Sequence, residues 1–185
     1  KLTFNYADEV RGEIEIDSDN NIVVGTCTRS TDFPLLNPIQ PNLSSGLEGC
    51  VFKLDRHLSN IIWSTYFGGS GDDCIYSVDF NRNNDIVFGG GTTSPDLNTT
   101  PLAFQQSYNS SNGLSPDGFI ATIDNNADSI FFSTYFGTDS YDQVFFIDVT
   151  KNDQVHVLGQ TNDTSNFFIK NSTISTQKSG QFIST

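Results

Sequence analysis

The 185 residues carry 9 Lys plus Arg against 22 Asp plus Glu, a formal net charge of −13, with a pI near 4.1. That balance argues against nucleic acid or an anionic membrane as partner, because both need clustered basic side chains. With 36% hydrophobic and 12% aromatic residues the chain has material for a core, and no stretch approaches the roughly 18 apolar residues of a membrane-spanning helix, so no membrane insertion is expected. Charged residues are 17%, and Asn, Ser, Thr and Gly supply much of the polarity. This is the composition of an all-β chain with many tight turns.

In chain order, the first expected strand lies near Leu2 to Phe4 and reads as the last strand of a unit. Ile14 and Ile16, then Ile22 and Val24, alternate with polar neighbours on either side of Asp17-Ser18-Asp19-Asn20-Asn21, which predicts a hairpin. Two more strands follow, Cys50 to Leu54 and Ile61 to Phe67, joined by the polar turn 55–60. The pattern then recurs. Trp63-Ser64-Thr65-Tyr66-Phe67-Gly68 returns as Phe132-Ser133-Thr134-Tyr135-Phe136-Gly137, about 69 positions later. The same shift lays Glu48-Gly49-Cys50-Val51 over Asp117-Gly118-Phe119-Ile120 and Asp73 to Asn83 over Asp142 to Asn152. Ile22-Val23-Val24-Gly25 answers Ile86-Val87-Phe88-Gly89 and Val155-His156-Val157-Leu158, through connecting loops of unequal length.

Four short antiparallel strands per unit, repeated, predict a β-propeller segment with about three blades' worth of strands. The units are 1–72, amino-terminally incomplete; 73–141; and 142–185, which ends in a third strand at Gln181 to Ser184. All three belong to one propeller domain. Closed propellers use about four to eight blades, so further repeats in cis or a partner chain are expected to complete the ring. The chain itself reads as a piece of a longer or processed polypeptide.

Few residues suggest chemistry. Asp17, Asp19 and Asn21 place oxygens at alternating positions, as a loop for weakly bound calcium would, but the Gly and closing Glu of an EF-hand are missing, and a hairpin turn is the simpler reading. The glycine-rich run Gly68 to Asp73 lacks the Lys and following helix of a phosphate cradle, so Asp72 and Asp73 are expected to accept hydrogen bonds from the loop's own backbone. His57 and His156 have no Ser or Cys motif near them. The aromatic run Trp63, Tyr66, Phe67 and its copy Phe131, Phe132, Tyr135, Phe136 recur at blade spacing and are expected to pack between blades rather than line a sugar platform. Cys27, Cys50 and Cys74 lack metal-ligand spacing and read as small buried hydrophobes, with a Cys27–Cys50 bridge as the alternative in an oxidising compartment. No catalytic or cofactor-binding residue is expected.

The run Trp63-Ser64-Thr65-Tyr66-Phe67-Gly68-Gly69-Ser70-Gly71-Asp72-Asp73, followed by Asn84-Asp85-Ile86-Val87-Phe88 and Gly90-Gly91-Thr92, resembles the SBBP repeat family. Asp32-Phe33-Pro34 and Asp117-Gly118-Phe119-Ile120-Ala121 resemble further segments of that repeat, so the likeness extends over nearly the whole chain. The third unit departs from it, with Gly137-Thr138-Asp139-Ser140-Tyr141-Asp142 in place of Gly-Gly-Ser-Gly-Asp-Asp. The resemblance implies a repeat module of a large secreted or cell-surface protein, exported from a Gram-negative bacterium and, in gliding or biofilm-forming species, handled by type IX secretion. The expected function is therefore a non-enzymatic structural or adhesive scaffold whose loops, Leu35 to Gly46 and Asp96 to Pro116, meet a protein or glycan partner at the cell surface. The alternatives are a carbohydrate-active propeller enzyme, or an exported cargo or accessory subunit of a secretion or gliding-motility assembly.

Overall fold

The computed structural model describes residues 11–44, 46–110, 113–164 and 180–185, so the strand expected near Leu2 to Phe4 lies outside the described residues. Eleven strands and no helix occur among the described residues: β1 (Glu13–Ile16), β2 (Ile22–Thr28), β3 (Glu48–Leu54), β4 (Ile61–Phe67), β5 (Asp73–Phe80), β6 (Ile86–Thr92), β7 (Asp117–Ile123), β8 (Ile130–Phe136), β9 (Asp142–Val149), β10 (Val155–Thr161) and β11 (Gln181–Ser184). They form three antiparallel meanders, β1-β2-β3-β4, β5-β6-β7-β8 and β9-β10-β11. The protein is thus all-β, and each sheet takes one stretch of the chain.

The hairpins share one recipe. Asp17, Asp55, Asn81, Asp124 and Thr150 open the turns, and each side-chain oxygen accepts two backbone N–H groups further along its own turn. Three residues on, Asn20, Leu58, Asn84, Ala127 and Asp153 take left-handed backbone, with φ of 65°, 57°, 68°, 57° and 60°. Short polar side chains open such turns because they satisfy backbone donors that the ladder leaves over.

The sheets stack in chain order. The front of the first sheet, with Val23, Val51, Trp63 and Phe67, meets Ile75, Val78, Ile86, Phe88, Phe119, Ala121, Ile123 and Tyr135 of the second. The front of the second, through Val87, Ile120 and Phe136, meets Val144, Ile147, Val157 and Phe182 of the third. Close approach depends on glycine at the centre of each front. A Cβ on Gly25 would stand 2.8 Å from Ile75 Cγ2, and one on Gly89 2.7 Å from Ile147 Cδ1.

Polar contacts cross both junctions. Glu13 Oε2 accepts from the Ser77 hydroxyl and the Val78 N–H. The Ser77 Oγ and Asp79 Oδ2 accept from the Ile147 and Val149 N–H groups. Lys53, buried on the first front, pairs with Asp17 at 2.6 Å and donates to Asn125 Oδ1, while the Trp63 indole donates to the Asn125 carbonyl.

In β1 the glutamates face inward, and Ile14 and Ile16 point out at 64% and 61% exposure. Alternation in the sequence fixes which residues share a face but not which face is covered.

Candidate functional site

The two long connections are built onto the outer strands. Between 30 and 40 the chain runs beside β4, with isolated bridges Leu36↔Ser64 and Gln40↔Tyr66. The Ser64 Oγ accepts from Leu36 N–H and donates to the Pro34 carbonyl, and the Thr65 Oγ accepts from Gln40 N–H. The second connection repeats this on β8. Thr100 N–H donates to the Ser133 carbonyl, Tyr135 N–H to the Gln105 carbonyl, and Gln105 N–H to the Thr134 hydroxyl. The Tyr66 and Tyr135 hydroxyls fasten the start of each connection, donating to the Ser30 and Ser94 carbonyls. Both loops therefore cover an edge strand that would otherwise offer unpaired backbone groups.

The second loop also holds large apolar side chains in water. Leu102 is 90% exposed and Phe104 58%, with Leu114 similarly placed and Leu36 the exposed apolar residue of the first loop. The Phe104 ring rests 5.8 Å from that of Phe136, so it is supported rather than dangling.

Beneath the loops lies a repeated pair of buried acids. Glu48 and Asp73 are fully buried, as are their counterparts Asp117 and Asp142. Gln40 links loop to acid: its side-chain oxygen accepts from Gly68 N–H and its amide donates to Glu48 Oε1 at 2.7 Å. Gln105 does the same with Gly137 N–H and Asp117 Oδ2. Asp73 collects the Gly69 N–H and the Thr92 and Ser94 hydroxyls. Asp142 Oδ2 collects the Thr138 N–H and hydroxyl, while Asp117 Oδ1 and Asp142 Oδ1 are buried and accept no hydrogen bond.

Burial outweighs those donors. It pushes the Asp73 carboxyl up to about 7, against the Thr92 hydroxyl and Gly69 N–H that hold it down. Asp117 also rises to about 7, through burial and the neighbouring Asp142 charge. Asp142 rises for the same first reason, with the nearby Thr161 hydroxyl opposing. Out of solvent and bonded to the loops and strand ends on at least one oxygen each, these acids act as hubs that hold the two together.

Of the candidate cation donors, Asp17 is engaged within its own loop. Asp17 Oδ1 accepts from the Asp19 and Asn21 N–H groups, and Oδ2 takes Lys53 Nζ and the Asn21 amide. Its carboxyl is held below the usual range, burial being outweighed by Lys53 and Asn21. Asp19 is exposed, and Asn21 turns its amide onto Asp17. The Asp17 oxygens thus serve the hairpin and an internal ion pair. Among the described residues no group of three or more His, Cys, Asp or Glu is placed to hold a metal ion.

The glycine-rich run is closed in the same manner. Gly69, Ser70, Gly71 and Asp72 give their N–H groups to Asp73, Asp96, Ser94 and Thr93. His57 sits in an exposed turn and His156 half-buried in β10. In the aromatic run Trp63, Tyr66, Phe67 and Tyr135 are buried, but Phe131 points to solvent.

None of the three cysteines is in a disulfide. Cys27 pairs across the ladder with Gly49 and Cys50 with Thr26, so the two side chains leave opposite faces of the first sheet and form no bridge. Cys27 instead hydrogen-bonds Cys74 of the second sheet, which with burial pushes the Cys74 thiol up. Burial likewise pushes Cys50 up to about 12.

Sequence reasoning missed the acid pairs and the edge-capping role of the loops. For the acids a signal was present: the repeat lays Glu48 on Asp117, each followed by glycine, and Asp73 on Asp142, and two aligned pairs of acids suggest a shared structural job. No family model matches the chain, and no curated protein matches it.

Proposed function

We propose that this chain is a β-propeller segment that works without catalysis, its three sheets being successive blades of a ring completed by further repeats or a partner chain. As part of a large secreted or cell-surface bacterial protein it acts as a structural or adhesive scaffold that presents loops to a protein or glycan. The carrying observation is the loop over β8. Its backbone is fixed to Ser133, Thr134 and Tyr135, yet Leu102, Phe104 and Leu114 stay exposed. Apolar side chains held out on a fixed backbone lose little entropy on binding and gain on desolvation. The net charge of −13 keeps such a surface dispersed and disfavours anionic partners. The resemblance to SBBP repeats supports an exported location.

The test is binding of the folded chain to glycan arrays and to cell-envelope fractions, with L102D/F104D as control. Binding that weakens at least tenfold in the variant, whose circular dichroism is unchanged, supports the scaffold. Turnover of a glycoside by the chain, with no binding that the variant alters, overturns it.

A further inference from the structure

The second sheet shows what covers the rear of a sheet in this fold. Its rear residues Val78, Ile86, Phe88, Ala121 and Ile123 share one face through the ladder pairs Val78↔Phe88, Phe88↔Ala121 and Ile86↔Ile123, and all are sealed from solvent. What seals them is the front of the first sheet, where glycines leave sockets for the neighbouring sheet's side chains. Ile75 fills both, since a Cβ on Gly49 would stand 3.0 Å from its Cγ1 just as one on Gly25 would crowd its Cγ2. The next junction is built alike, with a Cβ on Gly118 reaching 3.0 Å from Val144 Cγ2.

A turn-to-turn hydrogen bond marks each junction as well. Ser18 N–H donates to Asn84 Oδ1 at 3.1 Å, and Arg82 N–H to Asp153 Oδ1 at 2.9 Å. The acceptor is in both cases the left-handed residue of the first hairpin turn of the following sheet.

The first sheet repeats five of these rear positions, with Arg11 counting to the place of Ile75. Ile14, Ile22, Val24, Phe52 and Leu54 stand at the positions of Val78, Ile86, Phe88, Ala121 and Ile123, joined by the equivalent pairs Ile14↔Val24, Ile22↔Leu54 and Val24↔Phe52. Asn20 stands at the position of Asn84 with the same backbone. Yet Ile14 and Ile16 are exposed, and Ile22, Val24, Phe52 and Leu54 only half-buried. An apolar face of this extent, with a hydrogen-bond acceptor at its rim, is the mark of a docking surface.

The occupant's chemistry follows from the two junctions already present. The chain's own third sheet does not fit it. There Leu158 stands where Gly25 and Gly89 stand, flanked across the ladder by Phe146 and Ile183, and Phe146 lies 4.4 Å beneath the Arg11 guanidinium. A second copy brought head to tail would set ridge against ridge.

We propose that the rear of the first sheet, Ile14, Ile16, Ile22, Val24 and Leu54 with the Asn20 amide, docks an antiparallel sheet whose front has glycine at the central position held by Gly25 and Gly89 and whose turn offers an N–H to Asn20. The proposal deepens the propeller reading, on which it rests for the stacking order, by naming the kind of blade that precedes this one.

The probe is the chain itself, fitted with the required front. In F146S/L158G the third sheet takes the Ser77 and Gly89 pattern of the second. Sedimentation over a concentration series, with folding checked by circular dichroism, is expected to show the natural chain monomeric and F146S/L158G associating at least tenfold more tightly. The gain disappears when I14K/I16K is added to the same chain, and N20G weakens it several-fold. L158G alone serves if the double variant does not fold. Folded glycine-front variants that stay monomeric, or associate equally with I14K/I16K present, overturn the proposal. So does self-association of the natural chain through Ile14 and Ile16, which would make a second copy the occupant. Ring closure is read separately, by imaging the intact native polypeptide, so failure of the propeller reading and failure of the glycine-front rule are distinguishable.

Discussion

The first and second sheets follow one sequence pattern and end in different surroundings. Phe88 and Val24 are equivalent, as are Ile86 and Ile22, but the second sheet's pair is fully buried between two sheets and the first sheet's pair faces outward on a half-covered surface. The second sheet has a neighbour on each face, and the first has one among the described residues. Residue type alone does not set what a position contributes; the neighbour does. Large-to-small substitutions should expose this most strongly. Phe88→Ala is expected to cost about 3–5 kcal/mol and Ile86→Ala about 2–5 kcal/mol in urea unfolding, against about 0.5 kcal/mol or less for Ile14→Ala. Equal losses at Ile86 and Ile14 would erase the contrast.

The next largest difference lies on the two fronts. The first sheet carries Lys53, bound to Asp17 and Asn125 out of solvent, at the position where the second carries Thr122. Removing one partner of a buried pair strands the other charge, so Lys53→Met is expected to destabilise by about 3–5 kcal/mol. Thr122→Ala should cost about 1 kcal/mol or less. The paired double variant K53M/D17N should recover part of the loss, because no buried charge then remains. A K53M chain as stable as the natural one would show that Lys53 merely packs its stem there.

A third contrast concerns the acids under the loops. Asp73 and Asp117 are raised to about 7 and Asp142 is raised, each chiefly by burial. A carboxyl raised in the folded state binds more protons there than when unfolded, so its contribution is fully present below the ordinary carboxylate range and is lost as pH climbs through about 7. Asp17 runs the other way: it is lowered, so it supports the fold above the ordinary range and its contribution disappears in stronger acid. Thermal unfolding should therefore be highest near the ordinary carboxylate range, about pH 4, and a few degrees lower at pH 8. Asp117→Asn should flatten this slope while raising stability at pH 8, because it removes a buried charge whose Oδ1 lacks a donor. Asp73→Asn should instead destabilise at both pH values by about 1–3 kcal/mol, since three donors converge on that carboxylate. Identical responses of the two variants would dissolve the distinction between the pairs.

Much of the fold was legible because β-strands in repeated units leave two superposed periods in the letters. Alternation marked the Ile14 to Val24 hairpin and the strands ending at Leu54 and Phe67, and the displacement of Trp63-Ser64-Thr65-Tyr66 onto Phe132-Ser133-Thr134-Tyr135 located the second unit. The direction of a face was not legible. Glu13 turns inward because Ser77 and Val78, far along the chain, offer it donors, and no local pattern announces that. The anchoring of the two long loops by backbone pairing to β4 and β8 was not legible either, because main-chain bonds leave no residue signature. The Cys27 contact with Cys74 in place of Cys50 likewise follows from which side of a strand each thiol leaves.

The smallest expected effect tests the junctions most directly. Asn84 and Asn20 occupy the same left-handed turn position, and Asn84 Oδ1 receives Ser18 N–H from the preceding sheet. Glycine tolerates that backbone without strain, so substitution there deletes the side-chain acceptor and little else, whereas alanine would add a conformational cost. Asn84→Gly should lower stability by about 0.5–1.5 kcal/mol, the net value of one hydrogen bond. Asn20→Gly should change it by less than about 0.5 kcal/mol in the isolated chain. Protection of the Ser18 amide against hydrogen exchange should fall in Asn84→Gly and stay unchanged in Asn20→Gly. An unchanged Ser18 amide in both variants would mean that sheet stacking rests on the apolar faces and their glycine sockets alone.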